Sequence, residues 1–137
     1  MVNAPDEKRV AHLLIESARQ DEAACAVLAS APGMGDAVIG FHAQQAVEKA
    51  IKAVLSAHNI EFRRTHDLVT LLDLLTDHSL PAPPEANWVD ELNPYAVEAR
   101  YGMIGPEGLD RARTLLVVGQ IVEWSVVQVA TAATDMR

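Results

Sequence analysis

Between Gly35 and Thr76 the chain reads GDAVIGFHAQQAVEKAIKAVLSAHNIEFRRTHDLVTLLDLLT. Few arrangements fit such a run. Val38, Ile39, Phe41, Ala46, Val47, Ala50, Ile51, Val54 and Leu55 recur at helical spacing and demand a core. His42, Gln45, Lys49 and Lys52 follow each other at intervals of three and four, which predicts one polar stripe along the same helix. Glu48 and Lys52 stand four apart in the favourable order. A linker from His58 to Arg64 leads to a second helix, for which Thr65 is a suitable N-cap, Asp67 suits the first turn, and Leu68, Leu71, Leu72 and Leu75 form the buried stripe. A connection that short predicts that the two helices lie antiparallel as neighbours.

The rest of the chain follows the same logic. Asn3 or Asp6 opens a first helix that runs to about Ala29, with Val10, Leu13, Leu14, Ala18, Ala24, Val27 and Leu28 on its inward side. Arg9, Glu16, Arg19, Gln20, Asp21 and Glu22 fall on the outward side. Ala31-Pro32-Gly33-Met34-Gly35 stops it, because proline cannot continue a helix and the glycines are flexible. His78 to Pro84 is a second, proline-rich stop. A short helix is expected over Ala86 to Leu92. Asn93 then suits an N-cap and Pro94 a first helical position, so Tyr95 to Arg100 reads as one or two further turns ended by Gly102. A last helix from about Glu107 to Ala133 carries Leu109, Ala112, Leu115, Leu116, Val118, Val122, Val126, Val129 and Ala130 around more than half of its circumference. Such a helix is either central or shared with a second subunit. The predicted fold is all-α, an up-and-down bundle of four main helices plus a short extra one, in a single domain spanning residues 1–137.

With 137 residues the chain suffices for one core. Its formal net charge of −8 gives no overall field toward nucleic acid, so any phosphate site must be a local basic patch. Cys25 is the single cysteine. It excludes an internal disulfide and a cysteine-based zinc cluster, reads as a small buried residue, and fits a reducing cytoplasm. The opening MVNAPDEKRVAHLL has neither a long apolar core nor a small-residue cleavage site, so no signal peptide is expected. No uninterrupted apolar run reaches the roughly 18 residues of a membrane span, since Gln120, Glu123 and Gln128 break the most hydrophobic segment. His12, His42, His58, His66 and His78 are scattered, with no two-His helical pair beside an acid, so neither a metal site nor a cofactor is expected. Gly33-Met34-Gly35 lacks the lysine and the strand of a phosphate loop.

The run FHAQQAVEKAIKAVL, the linker ending RRTHDL and the later NPYAVEARYG resemble the HEPN domain (higher eukaryotes and prokaryotes nucleotide-binding), an all-helical and often dimeric family. The resemblance covers roughly Val10 to the last helix. It implies nucleotide or RNA binding, a cytoplasmic homodimer, and partnership with a small nucleotidyltransferase in a toxin–antitoxin-like pair. The residues it points to are His42, Gln45, Lys49, Arg63, Arg64, His66, Arg100 and Tyr101. Lys49, Lys52, Arg63, Arg64, His66 and Arg100 would form a basic patch, helped by free N–H groups at the helix start after Thr65.

Ribonucleases of the wider superfamily use an Arg followed, four to six residues on, by a His. With four to six residues between the two, the His would stand five to seven positions after Arg100, where the chain has Gly105, Pro106 and Glu107, and no other Arg has a His at that spacing. No linear catalytic motif is therefore assigned. An active site would need Arg100 with His42 or His66 brought in by the fold. The alternatives to a binding module are such a rearranged metal-independent ribonuclease, or a helical scaffold whose polar stripe serves a protein contact.

Overall fold

The computed structural model describes residues 4–97 and 108–135. Helix α1 spans Ala4–Ser30, α2 Asp36–Ala57, α3 Leu68–Asp77, α4 Ala86–Val89, α5 Pro94–Val97 and α6 Arg111–Asp135, with a 3-10 turn over Asp90–Leu92 between α4 and α5. The described residues hold no strand. The fold is the all-α bundle expected from the sequence.

Helix α2 is the centre, with 14 of its 22 residues buried. Half of those buried residues are alanine or valine, so neighbours approach closely with few large side chains between them. A five-residue loop, 31–35, turns α1 back along it. Gly33 sits there at φ +77°, a conformation that costs glycine nothing. Helix α6 starts at the same end as α2, because Asp36 accepts hydrogen bonds from the Leu109 backbone N–H at 2.8 Å and Arg111 Nε at 2.7 Å. Arg111 also donates to the Met34 carbonyl at 2.7 Å. These bonds hold the Asp36 carboxyl below its usual range, the Leu109 N–H contributing most and Arg111 next.

Two helices end in the same way. At the end of α2, Ile60 N–H donates to Leu55 C=O at 2.9 Å and Asn59 N–H to Ser56 C=O at 3.0 Å, with Asn59 at φ +58°. At the end of α3, Leu80 N–H donates to Leu75 C=O and Ser79 N–H to Thr76 C=O, with Ser79 at φ +58°. Both are Schellman caps built without glycine, and Ile60 and Leu80 pack back on the core as such caps favour.

Several expectations shift. The linker does not stop at Arg64 but runs to Asp67. It is this linker that returns along α2, with Phe62 beside Lys52 and His66 beside Glu48. Helix α3 then doubles back along the linker, so that Phe62 and Thr65 line one depression with Thr70, Leu74 and Asp77, and α3 runs in the same direction as α2 rather than antiparallel to it, because the linker itself makes the return. The N-cap of α3 is Asp67, whose carboxylate accepts from Val69 N–H at 3.0 Å; Thr65 instead caps Asp67 N–H. Helix α6 begins at Arg111, capped by Asp110 through Arg113 N–H.

On α1 the buried seam is Ala11, Ile15, Ala18 and Cys25, whereas Val10, Leu13 and Val27 face outward. Ala18 and Leu14 of the expected stripe do face the core, but the seam is displaced from the larger residues because close approach of α1 and α2 favours small ones. Burial, then Asp21 and Glu22, push the Cys25 thiol up to about 12. On α6, Val117, Val118, Ile121, Val122 and Val129 are buried, while Leu116 and Val127 are exposed. The stretch Arg111–Ala132 is long and apolar enough to cross a membrane by length and composition, at a mean hydropathy of 1.5. Its inward side is committed to the core of this bundle.

Candidate functional site

The polar stripe of α2 exists and is organised by two carboxylates. The first is Asp21, which the sequence assigned to the outward face of α1. It meets His42 Nδ1 at 2.9 Å and Lys49 Nζ at 2.7 Å, tying α1 to α2. The second is Glu48, whose side chain is only 5 % exposed. Its carboxylate accepts from Lys52 Nζ at 2.8 Å, His66 Nδ1 at 2.9 Å and Gln44 Nε2 at 3.0 Å. Gln45 Nε2 donates to Gln44 Oε1 at 2.8 Å, and reaches Glu48 at 3.5 Å. Burial alone would raise the Glu48 carboxyl. The hydrogen bonds from Lys52, His66 and Gln44 outweigh it and hold the group ionised, below the usual carboxylate range.

Glu48 also fixes the linker. Gln44 donates to the His66 backbone carbonyl at 3.0 Å while the His66 ring sits on Glu48, so backbone and side chain are both located. The ring remains 53 % exposed. Beyond it, Asn93 joins three segments. Its Oδ1 accepts from Leu68 N–H at 2.9 Å, and its Nδ2 donates to Asp67 and Asp90, both at 3.1 Å. Asn93 therefore caps α3 from a distance rather than opening α5, and its own backbone is already helical. Burial would raise Asp67, but bonds from Thr70, Val69 and Asn93 prevail and lower it.

His66, Asp67, Asn93, Pro94, Ala96 and Val97 line an open depression of about 490 Å³. Tyr95 sits behind this wall, its ring lying on Gly40 of α2. A second depression of about 420 Å³ holds Arg63 among Glu61, Asp73 and Asp77.

The structure thus joins His42 with Lys49 through Asp21, and Gln45 with His66 through Glu48. Among the described residues the cations are not gathered into one patch. Lys49 and Lys52 each neutralise a carboxylate, and Arg63 points to an acidic surface. Arg63 and Arg64 are exposed and make no ion pair with the described residues. The free N–H groups expected at the start of α3 are taken, by Asp67 and Asn93. Arg100 and Tyr101 lie outside the described residues. Among the described residues no cluster of His, Cys, Asp and Glu could hold a metal ion. Asp21, Gln44, Glu48 and Asn93 were missed as site-building residues. The one available signal was Glu48, a carboxylate on a helix whose other inward positions are nearly all apolar.

These features define a helical bundle whose central helix positions an exposed histidine from a buried acid. A family model of the HEPN domain matches residues 11–129. The chain belongs to the HEPN family. No match was found among curated proteins or solved structures.

Proposed function

We propose that this HEPN protein is a nucleotide- or RNA-binding module whose ligand lies against the Glu48-centred part of α2, over the depression beside His66. The observation that carries this reading is the held imidazole. Burying a carboxylate is costly unless its hydrogen bonds are satisfied. Here that carboxylate locates a histidine that still faces solvent. Arg64, two residues earlier and in no ion pair with the described residues, supplies positive charge, and Arg100 and Tyr101 follow Val97 closely in sequence. His42, Gln45 and Lys49 continue the polar stripe away from the depression. In a thermal-shift panel of nucleotides and short RNAs, a ligand at a hundred times its Kd adds about 2.7 kcal/mol to stability. No shift with any of them refutes the reading.

A second reading, a metal-independent ribonuclease with a rearranged site, draws on the same pair. A histidine oriented by a carboxylate has the form of a proton-transfer group, and Arg100 would stabilise charge on the phosphate. It predicts RNA cleavage in EDTA by the native protein and none by Arg100→Ala.

The reading also includes a cytoplasmic homodimer and pairing with a small nucleotidyltransferase in a toxin–antitoxin-like arrangement. Exposed Val10, Leu13 and Val27 on α1, with Leu116 and Val127 on α6, supply apolar surface for self-association. Light scattering on a size-exclusion column tests this, and a strict monomer refutes it.

A further inference from the structure

We infer that His66 reads the ribose 2′-hydroxyl of the ligand through Nε2, with Glu48 as the residue that positions it. The inference rests on the binding reading above and specifies its chemistry.

Glu48 is ionised and surrounded by donors from Lys52, Gln44 and His66, so it can only accept. The ring nitrogen facing it, Nδ1 at 2.9 Å, must carry hydrogen. In the neutral imidazole Nε2 is then a bare acceptor. An acceptor seeks a hydroxyl or an N–H.

The surroundings select between a sugar and a phosphate. Asp67 shares the depression and is held ionised, and Asp90 lies against Asn93. These charges disfavour a phosphate beside His66. The donor and acceptor atoms of Asn93 are already occupied by Leu68, Asp67 and Asp90. Pro94, Ala96 and Val97 supply an apolar wall. An exposed acceptor against an apolar wall suits a ribose, which offers C–H faces and hydroxyl donors. The 2′-hydroxyl is also the group by which a protein tells RNA from DNA. A phosphate would lie farther out, toward Arg64.

The test compares a short oligoribonucleotide with the oligodeoxyribonucleotide of the same sequence, by fluorescence anisotropy. The native protein should prefer RNA by roughly tenfold, the worth of one hydrogen bond. In His66→Asn the amide keeps a donor at the Nδ1 position, so the bond to Glu48 and the melting temperature persist, but Nε2 is gone. That variant should bind both strands equally, at the level of the native protein with DNA. His12→Asn on exposed α1 should keep the preference. Equal binding of RNA and DNA by the native protein, or a preference that survives His66→Asn, overturns the inference and leaves the binding reading intact. Binding of neither strand overturns both. A second measurement needs no variant. In ¹⁵N spectra of the native protein, the His66 Nε2 resonance should shift with RNA and not with DNA; an unmoved Nε2 resonance overturns the assignment.

Discussion

Gly40→Ala should destabilise the bundle, although alanine is the better helix former. A Cβ built at Gly40 falls 2.2 Å from Tyr95 Cδ1 and 2.5 Å from Cε1 and Cγ. That is about 1.2 Å short of an ordinary contact with the nearest of them. The Tyr95 ring cannot easily yield, being only 6 % exposed and part of the core cluster. Helix propensity favours alanine by about 1 kcal/mol. Overpacking costs about 1–3 kcal/mol when side chains shift, and expulsion of the ring approaches the roughly 3–5 kcal/mol of an aromatic-to-alanine change. The net should be a loss of about 2 kcal/mol, a fall in Tm of roughly 6–10 °C for a domain of this size. Urea unfolding at neutral pH measures it. The same substitution in a Tyr95→Ala background should stabilise by about 1 kcal/mol, because only the propensity term remains. The coupling in that double-mutant cycle should reach about 3 kcal/mol. If Gly40→Ala is neutral or stabilising in the native background, the α5–α2 contact described here is wrong.

Asp36, Glu48 and Asp67 all have carboxyls lowered in the folded state. The unfolded chain therefore takes up protons first on acidification. Stability is fully present above about pH 4–5 and is lost as pH falls through the lowered values; urea midpoints from pH 7 to 2.5 should show this, with a shallower decline in Asp36→Asn. Asn93→Asp should be more harmful than Asn93→Ala at pH 7, since it replaces a donor between Asp67 and Asp90 with a third carboxylate. The difference should vanish near pH 3, and a persistent gap would refute the electrostatic account. Ser79→Gly should stabilise by about 0.5–1 kcal/mol by relieving a left-handed residue at the α3 cap, read as a raised Tm.

Val47, Ala50, Ile51, Val54 and Leu55 announced α2 as a core helix, because a period of 3.6 leaves no other way to bury them. Pro32, Gly33 and the 80–84 proline loop marked the stops, since proline excludes a helix whatever its neighbours. Arg100 was visible in sequence without any histidine at nuclease spacing. The outward histidine and its supporting acid were separable only in part: His66 and Glu48 were each noticed, but not as a pair.

The helices, their order and the polar stripe on α2 follow from residues three and four apart, which any reading of the chain can see. The tertiary structure alone decided which acid serves which base. Asp21 reaches Lys49 across 28 positions, Glu48 reaches His66 across 18, and Asn93 caps Leu68 across 25. No local periodicity encodes such pairings. They are set by the close packing of small residues between α1 and α2, and by a linker that returns along the central helix and brings His66 back to Glu48.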